Sequence, residues 1–277
     1  MENFAGDLNM LEILENSNPS NIFLAESILQ HIEDKSVNLI TVDRLTSTNT
    51  ILKSLSNKLP DKTVLIADCQ TDGRGRLNKN FYSPNGTGLY MSVLIRKSFP
   101  YDDALLITPL VAVAVLDVVK KYADNAKIKW VNDIYIDDKK VCGILTESSF
   151  DNETKLTDYV VIGIGLNVNR PIANFPDELF NIATALSDSF SEVDYNLLAA
   201  RLINSLLSRL NDFNISDIAN IYASNSYLDG KKVKVINQTS SYPATVLGID
   251  DKIRLIVKNE NGDVLTLSSG EVSTTPI

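Results

Sequence analysis

The heptapeptide Gln70-Thr-Asp-Gly-Arg-Gly-Arg76 constrains this chain more than any other segment. It follows the short β-rich run Val64–Cys69, so the fold must deliver a strand into a loop bent by glycines and charged by arginines. Glycine permits close backbone approach to a ligand, and the guanidinium fork matches phosphate and carboxylate oxygens. Taken alone, such a loop reads equally well as a solvated surface turn.

Two ligand-type segments downstream shift that balance. Lys127-Ile-Lys-Trp-Val-Asn-Asp133 leads into Lys139-Lys-Val-Cys-Gly143 and sets Lys129, Asn132, Asp133 and Lys140 around a predicted hairpin. There they can meet one anion and its metal, the lysines as compact charges and the carboxylate as a magnesium ligand. An ordinary hairpin with solvated charges is the alternative. Gly163-Ile-Gly-Leu-Asn167 lacks the third glycine of a dinucleotide fingerprint and lies in a strand pattern. Glycine in such a run marks close approach of a ligand or another backbone.

Composition removes several function classes. A net charge of -9 argues against non-specific nucleic-acid binding, so the arginines must act locally. The single histidine, His31, lies in an acidic stretch far from any nucleophile motif, which excludes Ser-His-Asp and Cys-His hydrolases. No Walker-type phosphate loop occurs. The apolar run Leu105–Val119 is interrupted by Thr108 and Asp117, so no membrane span is expected, and the first residues do not resemble a secretory signal. Cys69 and Cys142 form no CxxC pair and suggest reduced thiols, hence a cytoplasmic protein. What remains is chemistry done with Arg, Lys, Asn, Gln and backbone amides.

Strand and helix patterns alternate along the chain. Val37–Asp43, Val64–Cys69, Leu89–Ile95, Lys127–Trp130, Ile134–Asp137, Val141–Ser148 and Tyr159–Val168 read as strands. Thr46-Ser-Thr-Asn49 supplies N-cap residues for a helix over Thr50–Leu55. Apolar spacing predicts helices over Asn21–Ile32, Asp102–Tyr122, Glu178–Ser187 and Asp194–Asn211. In the first of these, Ile22, Ala25, Ile28, Leu29 and Ile32 form the face expected to dock on the body. Beyond Leu228 come the short strands Lys232–Ile236, Tyr242–Ile249, Ile253–Val257 and Val264–Leu267, the pattern of a small all-β barrel. The expected units are an acidic N-terminal extension (1–36), a larger domain (37–228) and the β unit (229–277), with a boundary near Asp229-Gly230.

The Ser47-Thr48-Asn49 cluster, the Gly-Arg loop, Lys129-Trp-Val-Asn-Asp133, Lys140-Val-Cys-Gly-Ile-Leu145 and Gly163-Ile-Gly-Leu-Asn167 together resemble, in order and spacing, the biotin–protein ligase family. Ala244-Thr-Val-Leu-Gly-Ile-Asp250 and Gly270-Glu-Val-Ser273 resemble its C-terminal barrel, so the likeness covers roughly residues 37–277. The resemblance implies an α/β (α+β, mixed-sheet) catalytic domain of the biotin/lipoate ligase type followed by an SH3-like β-barrel. It implies two steps: biotin and MgATP give biotinoyl-AMP, and a lysine of a biotin carboxyl carrier domain of a carboxylase then takes the biotinoyl group. It places Ser47, Thr48, Asn49, Gln70, Arg74, Gly75, Arg76, Lys140, Gly143, Gly163 and Gly165 around biotin. Arg74, Arg76, Lys129, Asn132, Asp133 and Asn167 are placed around ATP and the adenylate, with Lys129, Lys140, Arg74 and Arg76 as the catalytic cations. Magnesium would arrive with ATP, Asp133 being its one candidate protein ligand. Neither nucleic acid nor membrane is an expected partner, and the state is monomer or homodimer.

The departures from the family pattern are local. After Arg76 the family continues Arg-Gly-Arg and an aromatic, whereas this chain reads Leu77-Asn78-Lys79-Asn80-Phe81. Val131 stands at a usual proline and Cys142 at a common glycine. Longer members carry a winged helix at the N-terminus; here that stretch is short, with seven acids against Lys35, so repressor function is not expected. A lipoate or other acyl ligase, and a non-catalytic biotin-binding paralogue, are the alternatives.

Overall fold

The computed structural model of the chain describes residues 10–171, 175–187, 193–236, 241–268 and 273–276. One mixed sheet contains β1 (Asn38–Leu45), β2 (Thr63–Gln70), β3 (Gly88–Ile95), β4 (Lys127–Lys129), β5 (Asp133–Ile136), β6 (Lys139–Phe150) and β7 (Thr157–Asn167). Their order is β1-β2-β3-β7-β6-β5-β4. The β1–β2 pair is parallel and the other neighbours are antiparallel. The helices are α1 (Ala25–Gln30), α2 (Thr48–Ser54), α3 (Tyr101–Val119), α4 (Asp177–Phe180), α5 (Tyr195–Asn211) and α6 (Ile215–Ser224), with residues 10–15 also helical.

Strand alternation divides the core between the two sheet faces. In β2, Val64 and Ile66 join the large cluster beneath α3 and α5, while Leu65 and Ala67 pack with Ile51, Leu52 and Leu55 of and just after α2. Because β2 is covered on both faces, its Val64–Ala67 stretch reads as an unbroken apolar run rather than an alternating one. The parallel β1–β2 step needs a crossover, and α2 supplies it. That crossover carries Ser47, Thr48 and Asn49 to the end of β2, where the Gly-Arg loop begins.

Three sequence expectations need correction, and one helix had none. The first helix is shorter than Asn21–Ile32; of the expected face Ile28 and Ile32 are buried and Ile22 packs on the core, but Leu29 is 39% exposed, and Phe23 joins the contact. In place of the predicted Glu178–Ser187 helix there is a single turn, Asp177–Phe180, because Lys140 N donates to Ile182 O (2.8 Å) and Thr184 N to Lys140 O (2.9 Å). Those strand-like bonds with β6 outweigh the helical spacing. Helix α6 was not anticipated; Asn214 caps it by accepting from Asp217 N at 3.1 Å. Finally, the strand expected from Ile253 begins at Leu255, since Ile253 has φ 58° and closes a turn with Asp250.

The C-terminal strands β8 (Lys232–Ile236), β9 (Ser241–Ile249), β10 (Leu255–Asn259), β11 (Val264–Leu267) and β12 (Ser273–Pro276) form a separate antiparallel sheet ordered β11-β10-β9-β8-β12. Of the Gly270–Ser273 segment, residues 270–272 lie outside the described residues, as do residues 1–9 of the acidic extension. The Trp130 indole donates to Ile253 O at 3.0 Å and ties this sheet to the hairpin of the larger one. The Trp130–Val131 peptide, at the family's usual proline, is cis. No helix among the described residues is long and apolar enough to cross a membrane.

The segment before α1 is pinned by a buried hydrogen bond from Ser20 Oγ to Asp68 of β2, supported by Asn21 N to Asp68 Oδ2 at 3.2 Å. Burial pushes the Asp68 carboxyl upward, and these hydrogen bonds pull it only part of the way back. The folded chain therefore keeps the Asp68 proton to higher pH than the unfolded chain does. The contribution of Asp68 to stability is thus greatest in acid and is lost as pH rises through the folded value. Ser20→Ala is expected to cost about 1.5–3 kcal/mol near neutral pH and less in acid, where Asp68 is already protonated. Chemical denaturation at both pH values checks this; equal stability of variant and parent near neutrality contradicts it.

Candidate active site

The first wall is the start of α2. Ser47 is extended (φ −155°) and caps the helix by accepting from Thr50 N at 3.4 Å, which buries Thr48 and Asn49 in the first turn. Gln70, the last residue of β2, accepts through Oε1 from Thr48 N (2.9 Å) and lies 3.1 Å from Thr48 Oγ1. Its amide nitrogen donates to Ser83 Oγ at 3.1 Å. From β3, Ser92 reaches Thr48 Oγ1 at 2.7 Å and Asn49 Oδ1 at 2.6 Å. Asn49 Nδ2 donates to Glu147 Oε2 (3.1 Å) and to Leu145 O (3.3 Å) on β6. Five neutral polar side chains are thus joined to each other and to one carboxylate.

The β7 glycines provide the room for this. A Cβ on Gly163 would lie 2.2 Å from Asn49 Oδ1, and one on Gly165 would lie 2.6 Å from the Phe81 ring. The close approach expected of this Gly-Ile-Gly run is therefore made by side chains that line the site.

The second wall is cationic. The Gly-Arg loop closes on itself through Gly75 N to Lys79 O (2.7 Å) and Phe81 N to Gly73 O (2.8 Å). Arg74 Nη1 lies 3.6 Å from Glu147 Oε1. Arg76 Nη1 donates to Asn132 Oδ1 at 3.1 Å, and Asn132 Nδ2 donates to Ile144 O at 2.9 Å. Burial pushes the Arg76 guanidinium down, opposed by the charge of Asp133. Lys140 Nζ pairs with Asp133 Oδ1 at 2.7 Å and sits 5.8 Å from the Phe81 ring centre. That oxygen receives no aligned hydrogen bond, so the contact is a charge pair. The Lys140 backbone is braced by residues 182–184, and Asn167 Nδ2 holds Thr184 O at 2.9 Å.

A cleft of about 450 Å³ opens between these walls. Ser47, Thr48, Asn49, Gln70, Arg74, Gly75, Arg76, Asn132, Lys140, Gly143, Gly163 and Gly165 line it, joined by Phe81, Met91, Ile144, Leu145 and Ile164. Three anticipated residues lie behind the lining. Lys129 donates to Tyr135 OH at 3.0 Å and is pushed to lower pKa by burial. Asp133 backs Lys140, and Asn167 acts through Thr184. Cys142 points into the core while its neighbour Gly143 faces the cleft, so the cysteine at a common glycine position leaves the site untouched. Leu77, in the altered part of the loop, is 72% exposed at φ 55°.

Sequence reasoning missed Ser92 and Glu147. Each carried a signal: Ser92 is a polar residue within an apolar strand, and Glu147 shares the strand face of Gly143 and Leu145. Among the described residues no group of three His, Cys, Asp or Glu could hold a metal ion. Asp133 alone, already engaged by Lys140, suits a magnesium ion carried by nucleotide phosphates rather than a protein-held one.

A model of the biotin/lipoate A/B protein ligase family matches residues 41–167. A bifunctional ligase/repressor of Bacillus spizizenii is 34% identical over 230 residues, covering 81% of this chain and 70% of that protein. A biotin–[acetyl-CoA-carboxylase] ligase of Mycobacterium tuberculosis is 28% identical over 236 residues, covering 82% and 84%. A solved biotin protein ligase from Aquifex aeolicus, in complex with biotin and ATP, aligns with TM-score 0.73 and 28% identity over 87% of this chain and 99% of that one. The family match spans the residues that build the cleft, and the chain belongs to the biotin/lipoate protein ligase family as a biotin–protein ligase.

Proposed function

We propose that this cleft activates biotin as biotinoyl-5′-AMP and that the biotinoyl group then passes to a lysine of a biotin carboxyl carrier domain, in the cytoplasm. The observation that carries the reading is the cleft's mixed chemistry. One end is a connected set of neutral donors and acceptors, Gln70, Thr48, Ser92 and Asn49, with Arg74 against the Glu147 carboxylate beside Asn49; Arg76 and Lys140 supply positive charge elsewhere in the lining. Biotin matches both, with a neutral ureido ring at one end and a carboxylate at the other. Such a pocket disfavours lipoate, whose dithiolane leaves the buried polar atoms unpaired at about 1–3 kcal/mol each.

In the first step a biotin carboxylate oxygen attacks the α-phosphorus of ATP and pyrophosphate leaves. Two anions must meet, so fixed positive charge has to offset their repulsion. Lys140 and Arg76 line the cleft to supply it, with Arg74 held by Glu147 and Lys129 behind the lining. Preformed charge of this kind also stabilises the developing transition state without a covalent protein nucleophile. In the second step the carrier's lysine amine attacks the acyl carbon, loses a proton, and AMP departs.

The test uses the full chain with biotin, MgATP and a biotin carboxyl carrier domain, followed by peptide mass spectrometry. One carrier lysine is expected to gain a biotinoyl amide, and omission of ATP or biotin is expected to abolish it. An unmodified carrier under conditions where the adenylate accumulates overturns the assignment of the acceptor.

A further inference from the structure

The polar end of the cleft is oriented by proton count. Ser92 has one hydroxyl proton, and Asn49 Oδ1, 2.6 Å away, can only accept it. The 2.7 Å contact between Ser92 Oγ and Thr48 Oγ1 must then use the Thr48 proton. Thr48 Oγ1 has none left for Gln70 Oε1, which is held instead by Thr48 N–H at 2.9 Å. Thr48 Oγ1 and Gln70 Oε1 therefore both retain free lone pairs. Thr48 and Gln70 line the cleft, so the pocket offers acceptors to a ligand that brings N–H donors.

This direction depends on which way the Asn49 amide faces. Turned over, its oxygen would meet Leu145 O and the Glu147 carboxylate, and Ser92 would face a donor. The Leu145 contact is neutral and longer (3.3 Å), whereas Glu147 offers a charged acceptor at 3.1 Å. Burial pushes the Glu147 carboxyl upward, but hydrogen bonds from Lys53 and Asn49 and the charges of Lys53 and Arg74 outweigh it, leaving it below the ordinary value. It is thus ionised and acceptor-only at neutral pH.

We infer that Glu147 is a positioning residue that fixes the donor–acceptor polarity of the pocket through Asn49 and Ser92, and so keeps the Thr48 and Gln70 side chains in the acceptor state. The inference rests on biotin being the ligand. The same carboxylate lies 3.6 Å from Arg74, so it also links the pocket to the Gly-Arg loop.

The test is steady-state pyrophosphate exchange with Glu147→Met, which keeps the side chain's length and removes its acceptors. The KM for biotin is expected to rise about tenfold, the loss of one charge-assisted contact, and to rise more than the KM for ATP, which Glu147 reaches only through Arg74. Glu147→Gln is expected to recover most of the biotin affinity, since its Oε1 can still accept from Asn49. Ser92→Ala breaks the chain one step further on and is expected to match Glu147→Met, with the double variant no worse than the poorer single one. An unchanged biotin KM in Glu147→Met, or single effects that multiply in the double variant, overturns the positioning role alone. A parent protein whose exchange does not depend on biotin overturns the ligand assignment as well.

Discussion

Lys140→Ala is expected to abolish most adenylation. Its ammonium is 2.7 Å from Asp133 Oδ1, and the two side chains are only partly exposed. Removing it leaves Asp133 partly buried beside the place where, in the proposed reaction, a carboxylate and a phosphate approach each other. The variant therefore loses an attraction and unmasks a repulsion. Truncating one member of such a charge pair costs about 2–5 kcal/mol, roughly thirtyfold to several thousandfold in rate. Lys129 cannot compensate: it lies behind the lining, bonded to Tyr135, and burial already disfavours its charge. Single-turnover formation of the adenylate checks this. A variant that binds biotin and forms the adenylate within about threefold of the parent, near 0.65 kcal/mol, would place the anion elsewhere.

Arg76→Gly is expected to separate the half-reactions. Arg76 lines the cleft and also a neighbouring one of about 750 Å³, so it stands between them. Its guanidinium donates to Asn132, which is itself fixed to Ile144 of β6. Glycine would remove that partition and free the loop's C-terminal end. Loss of one charge-assisted contact costs about 1.5–3 kcal/mol, enough to loosen a bound adenylate about tenfold to a hundredfold. The adenylate would still form with Arg74 and Lys140 but would escape before meeting the carrier. Free acyl-adenylate acylates exposed lysines, so bystander proteins in the reaction should become labelled. Leu77 and Asn78 stand where the family carries Arg-Gly, so no adjacent arginine covers the loss. Labelling confined to the carrier, at the parent's rate, would remove Arg76 from the retaining role.

Much of this site was legible in the sequence because its residues fall in short motifs on strands, one helix cap and the Gly-Arg loop. Ser47 announces the α2 cap, and the β7 glycines announce close packing; both are local signals. What was not legible depends on partners distant in sequence. Residues 181–187 carry helical spacing, yet the open edge of β6 at Lys140 captures 182–184, a choice that local propensity does not encode. Glu147 reads as an ordinary strand carboxylate until the fold brings Lys53, Asn49 and Arg74 to it. Lys129 was placed in the site by its motif, but its ammonium is turned to Tyr135, six residues on.

The most direct measurement of the central claim is exchange of radiolabelled pyrophosphate into ATP, catalysed by the pure chain with biotin, lipoate or neither acid. Exchange requires reversible attack of the acid on the α-phosphorus and needs no carrier, so it reads the ligand and the first step together. Biotin is expected to support exchange, with lipoate close to the no-acid background, because Thr48, Asn49, Gln70 and Ser92 form a pocket of buried polar atoms that a dithiolane leaves unpaired. Faster exchange with lipoate than with biotin would contradict the account.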